Sequence, residues 1–240
     1  MKKYSFLCLM TIAFSVVMSF TLINPLQTSL AGAWHVQNGT TEQVVIFQDG
    51  YFTHTAFDKL NRKFLGSFGG VVNVAGQELH ASIEFDTKNK EQVGQHMHYA
   101  FQLISKSNLK TNLGGQEQQW TRLDEGNGAL AGNWRITARM NNGQMQPMQR
   151  SSRKTLKLLS GSRFQWMAIN PETKEFFGTG GGNYSFKDGK YTENIEFFSR
   201  DSNRVGASLS FDGSVSGNTW THKGLSSRGE PIHEEWTREK

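Results

Sequence analysis

Cysteine is nearly absent from this chain: the single one, Cys8, lies inside an apolar run close to the start. Beyond it no disulfide can form, so any core further along is held by packing alone. A thiol nucleophile is excluded with it, and no Ser-His-Asp arrangement can be argued from the order of residues. Proline is scarce, with four residues in 240 against 25 glycines. Aromatics are common. That is the composition of many short strands turning on glycine. No long apolar stripe of period 3.6 appears after residue 30, which leaves little room for helix. The run Gly178-Thr179-Gly180-Gly181-Gly182 is followed by no Gly-Lys-Ser/Thr and by strand rather than helix. A phosphate loop is thereby excluded, and the glycines read as a sharp bend in a strand. The net charge is +5, and its densest basic spot is Arg150-Ser151-Ser152-Arg153-Lys154. No aromatics interleave with those charges, so the spot reads as a solvated loop and no nucleic-acid partner is expected.

What is present begins with a leader. Met1-Lys2-Lys3 is charged, and the 18 residues from Phe6 to Ile23 carry no charge. Residues 1–25 therefore read as a signal peptide, with an N-terminal anchor formed by residues 6–23 as the alternative. Cys8 sits too early to be the lipid-modified first residue of a mature chain. The expected location is secreted or periplasmic, with membrane contact only through an uncleaved N-terminal segment.

The rest of the chain is a tandem repeat. Phe64, Gly66, Gly69, Gly70, Ile83, Glu84, Phe85, Val93 and Gly94 return, after adding 112, as Phe176, Gly178, Gly181, Gly182, Ile195, Glu196, Phe197, Val205 and Gly206. Each copy divides into eight short alternating segments bounded by Gly, Asn and Asp. The second copy contains the strongest hairpin signal, Asp188-Gly189 between two alternating runs. The expected organisation is one domain over residues 30–123 and a second over 129–238, joined by the polar linker Asp124-Glu125-Gly126-Asn127-Gly128. In the first copy, Leu79, Ala81, Ile83 and Phe85 are expected to share a core face. The second copy has a longer first loop, Arg139 to Arg153, carrying Met140, Met145 and Met148. It reads either as a loop packed on its own domain or as a lid over a barrel mouth.

Both copies open with Gly-x-Trp, Gly32-Ala33-Trp34 and Gly132-Asn133-Trp134. Both close with Trp-Thr-Arg, Trp120-Thr121-Arg122 and Trp236-Thr237-Arg238. The pattern resembles the lipocalin-like (calycin-type) β-barrel domains, and more narrowly those of secreted bacterial proteins. The resemblance implies an all-β chain of two tandem, small, antiparallel, eight-stranded barrels. It also implies that Trp34 packs near Arg122 and Trp134 near Arg238, each indole closing a barrel base under a guanidinium. Each copy spans about a hundred residues, shorter than an ordinary lipocalin, so strands and lumen should be small. A pair of β-sandwiches is the alternative fold.

The candidate binding site lies in the second copy. Glu193 falls on a row with Tyr191, Ile195 and Phe197, where the first copy has Ala81. A carboxylate on a core-facing row must find a partner or titrate abnormally. Trp220 and His222 share one face of a nearby strand, and Trp166, Tyr184 and Phe186 are further lining candidates. The expectation is an exported, non-enzymatic module holding a small, partly apolar ligand in the second barrel, in a pocket that the first copy lacks or has filled. The alternatives are a structural or interaction protein with filled barrels and an enzyme using Glu193 with His222. No cofactor is expected. His96-Met97-His98 could point two imidazoles the same way, but the sequence names no third ligand, so no metal is expected.

Overall fold

The computed structural model describes residues 29–239; the expected leader, with Cys8, lies outside the described residues. In the first copy every segment of alternating polarity becomes a strand: β1 (Gly32–Asn38), β2 (Thr41–Gln48), β3 (Tyr51–Asp58), β4 (Lys63–Ala75), β5 (Glu78–Asp86), β6 (His96–Ser105), β7 (Asn108–Thr111) and β8 (Gln118–Asp124). Each pairs antiparallel with the next, and β8 returns to β1, so the sheet closes on itself. Closure removes the two free edges that an open sheet would present. The second copy repeats the plan in a separate sheet with one addition. Its strands are β9 (Gly132–Asn141), β10 (Gln144–Pro147), β11 (Lys154–Leu159), β12 (Arg163–Asn170), β13 (Glu175–Lys187), β14 (Lys190–Phe198), β15 (Ser208–Ser216), β16 (Thr219–Leu225) and β17 (Pro231–Arg238). β17 pairs back onto β9 to close the eight-stranded barrel, and β10 lies outside the ring as a flap on β9. No helix among the described residues is long and apolar enough to cross a membrane.

Turn chemistry sets the strand lengths. Asp188 and Gly189 both have positive φ, 51° and 74°, as the tightest hairpin requires, and the pairing runs out to Lys187 and Lys190 beside them. The flap has the same cause. Asn142 and Gly143 take φ of 49° and 77°, so the segment expected as a fifteen-residue loop begins as a hairpin. The repeated glycine pairs are packing requirements. A side-chain carbon at Gly70 would run into the carbonyl oxygen of Ser82, and one at Gly182 into that of Asn194. At those points β4 and β13 bend across their neighbours.

The bend also corrects the face assignment. In β14 the register passes from Ile195 to Phe197 opposite two consecutive glycines, Gly182 and Gly181, leaving Glu196 bulged out. A bulge consumes one residue and inverts the alternation beyond it. Phe197 therefore leaves the interior row of Tyr191, Glu193 and Ile195 and faces outward. Phe85 does the same beyond Glu84 in β5.

Those inverted phenylalanines join the two barrels. Phe85 stacks on Phe176 and Phe197 stacks on Phe64, two contacts that exchange under the 112-residue offset. Around them Val44, Ile46 and Phe57 of the first barrel meet Leu156, Leu158, Met167 and Ile169 of the second in one buried cluster. Burying such side chains stabilises by about 1.5–3 kcal/mol each. Each repeated glutamate also takes a lysine of the other barrel, although the two lysines do not exchange under the offset. Glu84 accepts hydrogen bonds from Tyr51 of its own barrel and Lys154 of the other, at 2.8 Å each. Glu196 pairs with Arg163 of its own barrel and, at 2.9 Å, with Lys59 of the other. Between these clamps the amide of Gln165 bonds Thr55, Ser67 and Thr179 at 2.8–3.0 Å. The linker is pinned as well: the Asp124 carboxylate accepts from Gly161 N and from the hydroxyls of Ser160 and Ser162 at 2.6–2.7 Å. Lys154 thus belongs to the interface rather than to a solvated loop. Of its neighbours in the basic run, Arg150 pairs with Glu239 and Arg153 lies over the ring of Phe177.

Candidate functional site

Each barrel is closed at its base by a tryptophan under an arginine. The guanidinium carbon of Arg122 lies 3.9 Å from the centre of the Trp34 ring, and that of Arg238 lies 4.4 Å from Trp134. Both indoles donate back to a leucine carbonyl four residues earlier, Leu30 and Leu130, at 2.9 and 2.8 Å. Arg122 is held further by the carbonyls of Ser29, Ala31 and Lys106. Arg238 is held by Ala131 O and by the carboxylate of Asp49, which comes from the first barrel.

Above the base the second barrel contains charge. Lys157 Nζ lies 2.7 Å from Glu193 Oε1, and the Tyr191 hydroxyl donates to the same oxygen at 2.8 Å. Both ions are about 5% exposed or less. The ammonium sits 5.1–5.3 Å from the ring centres of Tyr191, Trp220 and Trp236, an aromatic cage for the cation. Beside it His222 Nε2 lies 3.0 Å from Glu234 Oε2, which also accepts from the Trp236 indole; Arg139 binds the other carboxylate oxygen at 2.6 Å. Burial lowers the His222 pKa, and Lys157 lowers it further against the opposing pull of Glu234. The imidazole is thus neutral with its proton on Nε2, and its Nδ1 has no hydrogen-bond partner. Burial opposes ionisation of Glu234, but the His222 hydrogen bond and the cations outweigh it and bring the pKa down. Burial first, then Glu193, raises Tyr191 well above the ordinary phenol value.

The remaining side chains of this interior lie against one another. Tyr191 meets Trp220 edge-on at 5.0 Å, and His222 stacks on Phe211 at 4.8 Å. Tyr184 packs on Tyr191 and donates to Ser160 O at 2.6 Å, and Phe186 packs on the same cluster. Trp166 is half-buried at the opposite end, edge-on to Phe198 at 5.4 Å. The structure therefore brings together Tyr184, Tyr191, Glu193, Trp220 and His222, with Trp166 near the rim, and takes Phe197 out to the interface.

The first barrel differs at the matching positions. Under the same offset, Lys157 and Glu193 are matched by Val45 and Ala81, and Tyr184, Phe186 and Tyr191 by Val72, Val74 and Leu79. The smaller side chains leave a cavity of about 300 Å³ near the base, lined by Leu30, Phe47, Val72, Val74 and Leu79. A second cavity, about 330 Å³, opens at the mouth over Phe68, Ile83, Met97, Tyr99 and Leu113. Its rim carries His54, Asp86, Lys88 and Gln92. In the second copy Trp166 stands at the position of His54 and Phe198 at that of Asp86, and the two rings meet over Gly180. The expectation that the first copy lacks a pocket or has it filled is thus corrected: its smaller side chains leave two cavities, whereas aromatic side chains pack together at the matching interior positions of the second.

The mouth is a low-polarity site. His54 is buried against Phe68 and Trp120 and bonds Gln43 Oε1 at 2.9 Å; burial, with a contribution from Lys88, lowers its pKa to about 4. Burial and then Asp86 raise Tyr99 to about 12. Gln92 Oε1 is a buried acceptor with no partner.

Sequence reasoning passed over Lys157 and Glu234. Lys157 stands in the apolar run Leu156–Leu159; the signal was its alignment with Val45 while its neighbours Leu156 and Leu158 align with Val44 and Ile46. The mouth residues His54, Met97 and Tyr99 were missed because space is a property of what is small across a barrel. The chain matches no protein-family model and none of the curated proteins.

Proposed function

We propose that this chain is an exported, non-enzymatic binding protein that holds a small, partly apolar ligand in the mouth of the first barrel. The observation that carries the reading is the 330 Å³ cavity with an apolar floor and a polar rim. Binding sites of small molecules combine largely apolar walls with a few placed polar groups. The free acceptor of Gln92 favours a ligand bearing one N–H or O–H donor. Export rests on the uncharged run of residues 6–23, and the lipocalin-like reading rests on the paired Trp–Arg bases. Glu193 and His222 support the non-enzymatic reading. Each is almost fully buried and engaged by neighbours, whereas a general acid or base must reach the proton it moves.

Two measurements test this. Native mass spectrometry of the protein from its own host should show a small molecule bound at one per chain. A titration with 8-anilinonaphthalene-1-sulfonate should give binding that Met97→Trp weakens by roughly tenfold or more. The matching substitution in the second barrel, Leu209→Trp, should leave it unchanged. The reverse pattern would move the site to the second barrel. Equal insensitivity of both variants, with no co-purified molecule, would favour the interaction protein.

A further inference from the structure

The outer wall of the first barrel carries a set of side chains that the cavities do not use. His80 on β5 and His98 on β6 stand directly opposite each other in the antiparallel register, and Glu78 precedes His80 by two residues on the same face. The imidazole rings are 4.2 Å apart. Glu78 Oε2 lies 3.3 Å from His80 Nε2 and 3.5 Å from His98 Nδ1. The three ligand atoms all lie within 4.8 Å of one another. We propose that Glu78, His80 and His98 form a divalent transition-metal site on the outer face of the first barrel, of the class that takes zinc or copper.

The geometry fits the ion. Nitrogen and oxygen ligands bind zinc at about 2.0–2.2 Å, so two ligands of a tetrahedral centre stand about 3.4 Å apart. Both carboxylate–imidazole separations match that edge. The third edge, between the imidazoles, needs only side-chain rotation at an exposed surface. The ligand set selects the metal class. Two imidazoles and one carboxylate suit zinc, copper or nickel, whereas calcium and magnesium want six or more oxygens or an octahedral, water-rich shell. Three protein ligands leave the fourth position for water or for a group from a partner.

The site is held by a closed sheet, not by a loop. Leu79 and Tyr99, paired across the same two strands, pack inside the barrel on the side of the wall opposite the ligands. The second copy supplies an internal contrast. Lys190, Thr192 and Ser210 stand at the positions of Glu78, His80 and His98, and Thr192 and Ser210 bond each other at 3.2 Å. A cation and two hydroxyls cannot make such a centre, so the site belongs to one barrel alone. It also resolves His96-Met97-His98: only His98 takes part, the other two ligands come from the neighbouring strand, and His96 bonds Ser82 instead at 2.9 Å.

Calorimetric titration of the untagged chain with zinc chloride is the test. One saturable equivalent per chain is expected. His80→Ala and His98→Ala should each weaken it by about tenfold or more, and His96→Ala should leave it unchanged. Copper-loaded protein should show hyperfine coupling to two nitrogens in electron paramagnetic resonance, reduced to one in either variant. Absence of a saturable equivalent, or binding that survives His80→Ala, overturns the site. Equal loss with His96→Ala would replace it by diffuse histidine binding. Thermal melts of the variants separate these outcomes from unfolding.

Discussion

Val45 and Ala81 face each other's neighbourhood inside the first barrel; at the same two places in the second stand Lys157 and Glu193, 2.7 Å apart. The backbones around them repeat strand for strand. One scaffold therefore tolerates an apolar interior or an ion pair, provided the exchange is made at both positions. Either charge alone would be buried without compensation, which costs several kcal/mol, whereas the pair with its tyrosine and aromatic cage is self-consistent. The difference in polarity travels with a difference in bulk. Tyr184, Phe186 and Tyr191 pack into the core of the second copy where Val72, Val74 and Leu79 line the open base of the first.

The largest effect should come from breaking the pair. Lys157→Met strands Glu193 among aromatics and should destabilise the chain by about 3–5 kcal/mol in urea unfolding. The double variant Lys157→Val with Glu193→Ala, which installs the residues of the first barrel, should be more stable than that single variant. If the single variant is as stable as the unaltered protein, the ion pair does not organise this interior.

A smaller effect separates the two mouths by acid. The folded first barrel holds His54 neutral down to a pKa of about 4, against an ordinary value of 6.5. Between those values the unfolded chain binds a proton that the folded chain refuses. Stability is complete above about pH 6.5 and falls as the pH drops toward 4, by about 3 kcal/mol from this residue. His222 acts in the same direction in the second barrel. His54→Phe should remove the first contribution, seen as a shallower loss of urea stability between pH 6.5 and 4. An unchanged slope would assign the acid sensitivity to other groups.

The smallest effect concerns the bases. Arg238 has a carboxylate partner across the interface, Asp49, whereas Arg122 is held only by carbonyls near its own tryptophan. Asp49→Asn keeps the turn, since Asn tolerates positive φ, but removes the charge. The pair is partly exposed, so the change should cost under about 1 kcal/mol, or up to about 4 °C in melting temperature. A larger loss would show that the second base depends on the first barrel.

The fold was legible because alternation, Asp-Gly and glycine breaks, and a repeat that keeps one spacing from Phe64 to Gly94 all act locally or at fixed spacing. The Trp34–Arg122 and Trp134–Arg238 pairs were legible from the motifs at each end of a copy. Three features were hidden for physical reasons. One bulged residue at Glu84 and Glu196 inverted Phe85 and Phe197, because a bulge is set by the partner strand's glycines. Lys157 found Glu193 across the barrel, a distance of 36 residues that no local period encodes. His80 and Glu78 joined His98 through strand register, which becomes visible only once the hairpin is paired.

The exchanged contacts of Phe85 with Phe176 and of Phe64 with Phe197 have a further consequence. A contact in which each half gives and receives the same groups is the one that two identical single barrels would make about a twofold axis. Here the two halves share one backbone, and the short linker keeps them at high effective concentration. Association becomes independent of how dilute the protein is. The pairing is always first copy with second, never like with like. Each molecule therefore presents one hollow and one charged interior in fixed stoichiometry, which a mixture of separate barrels could not guarantee.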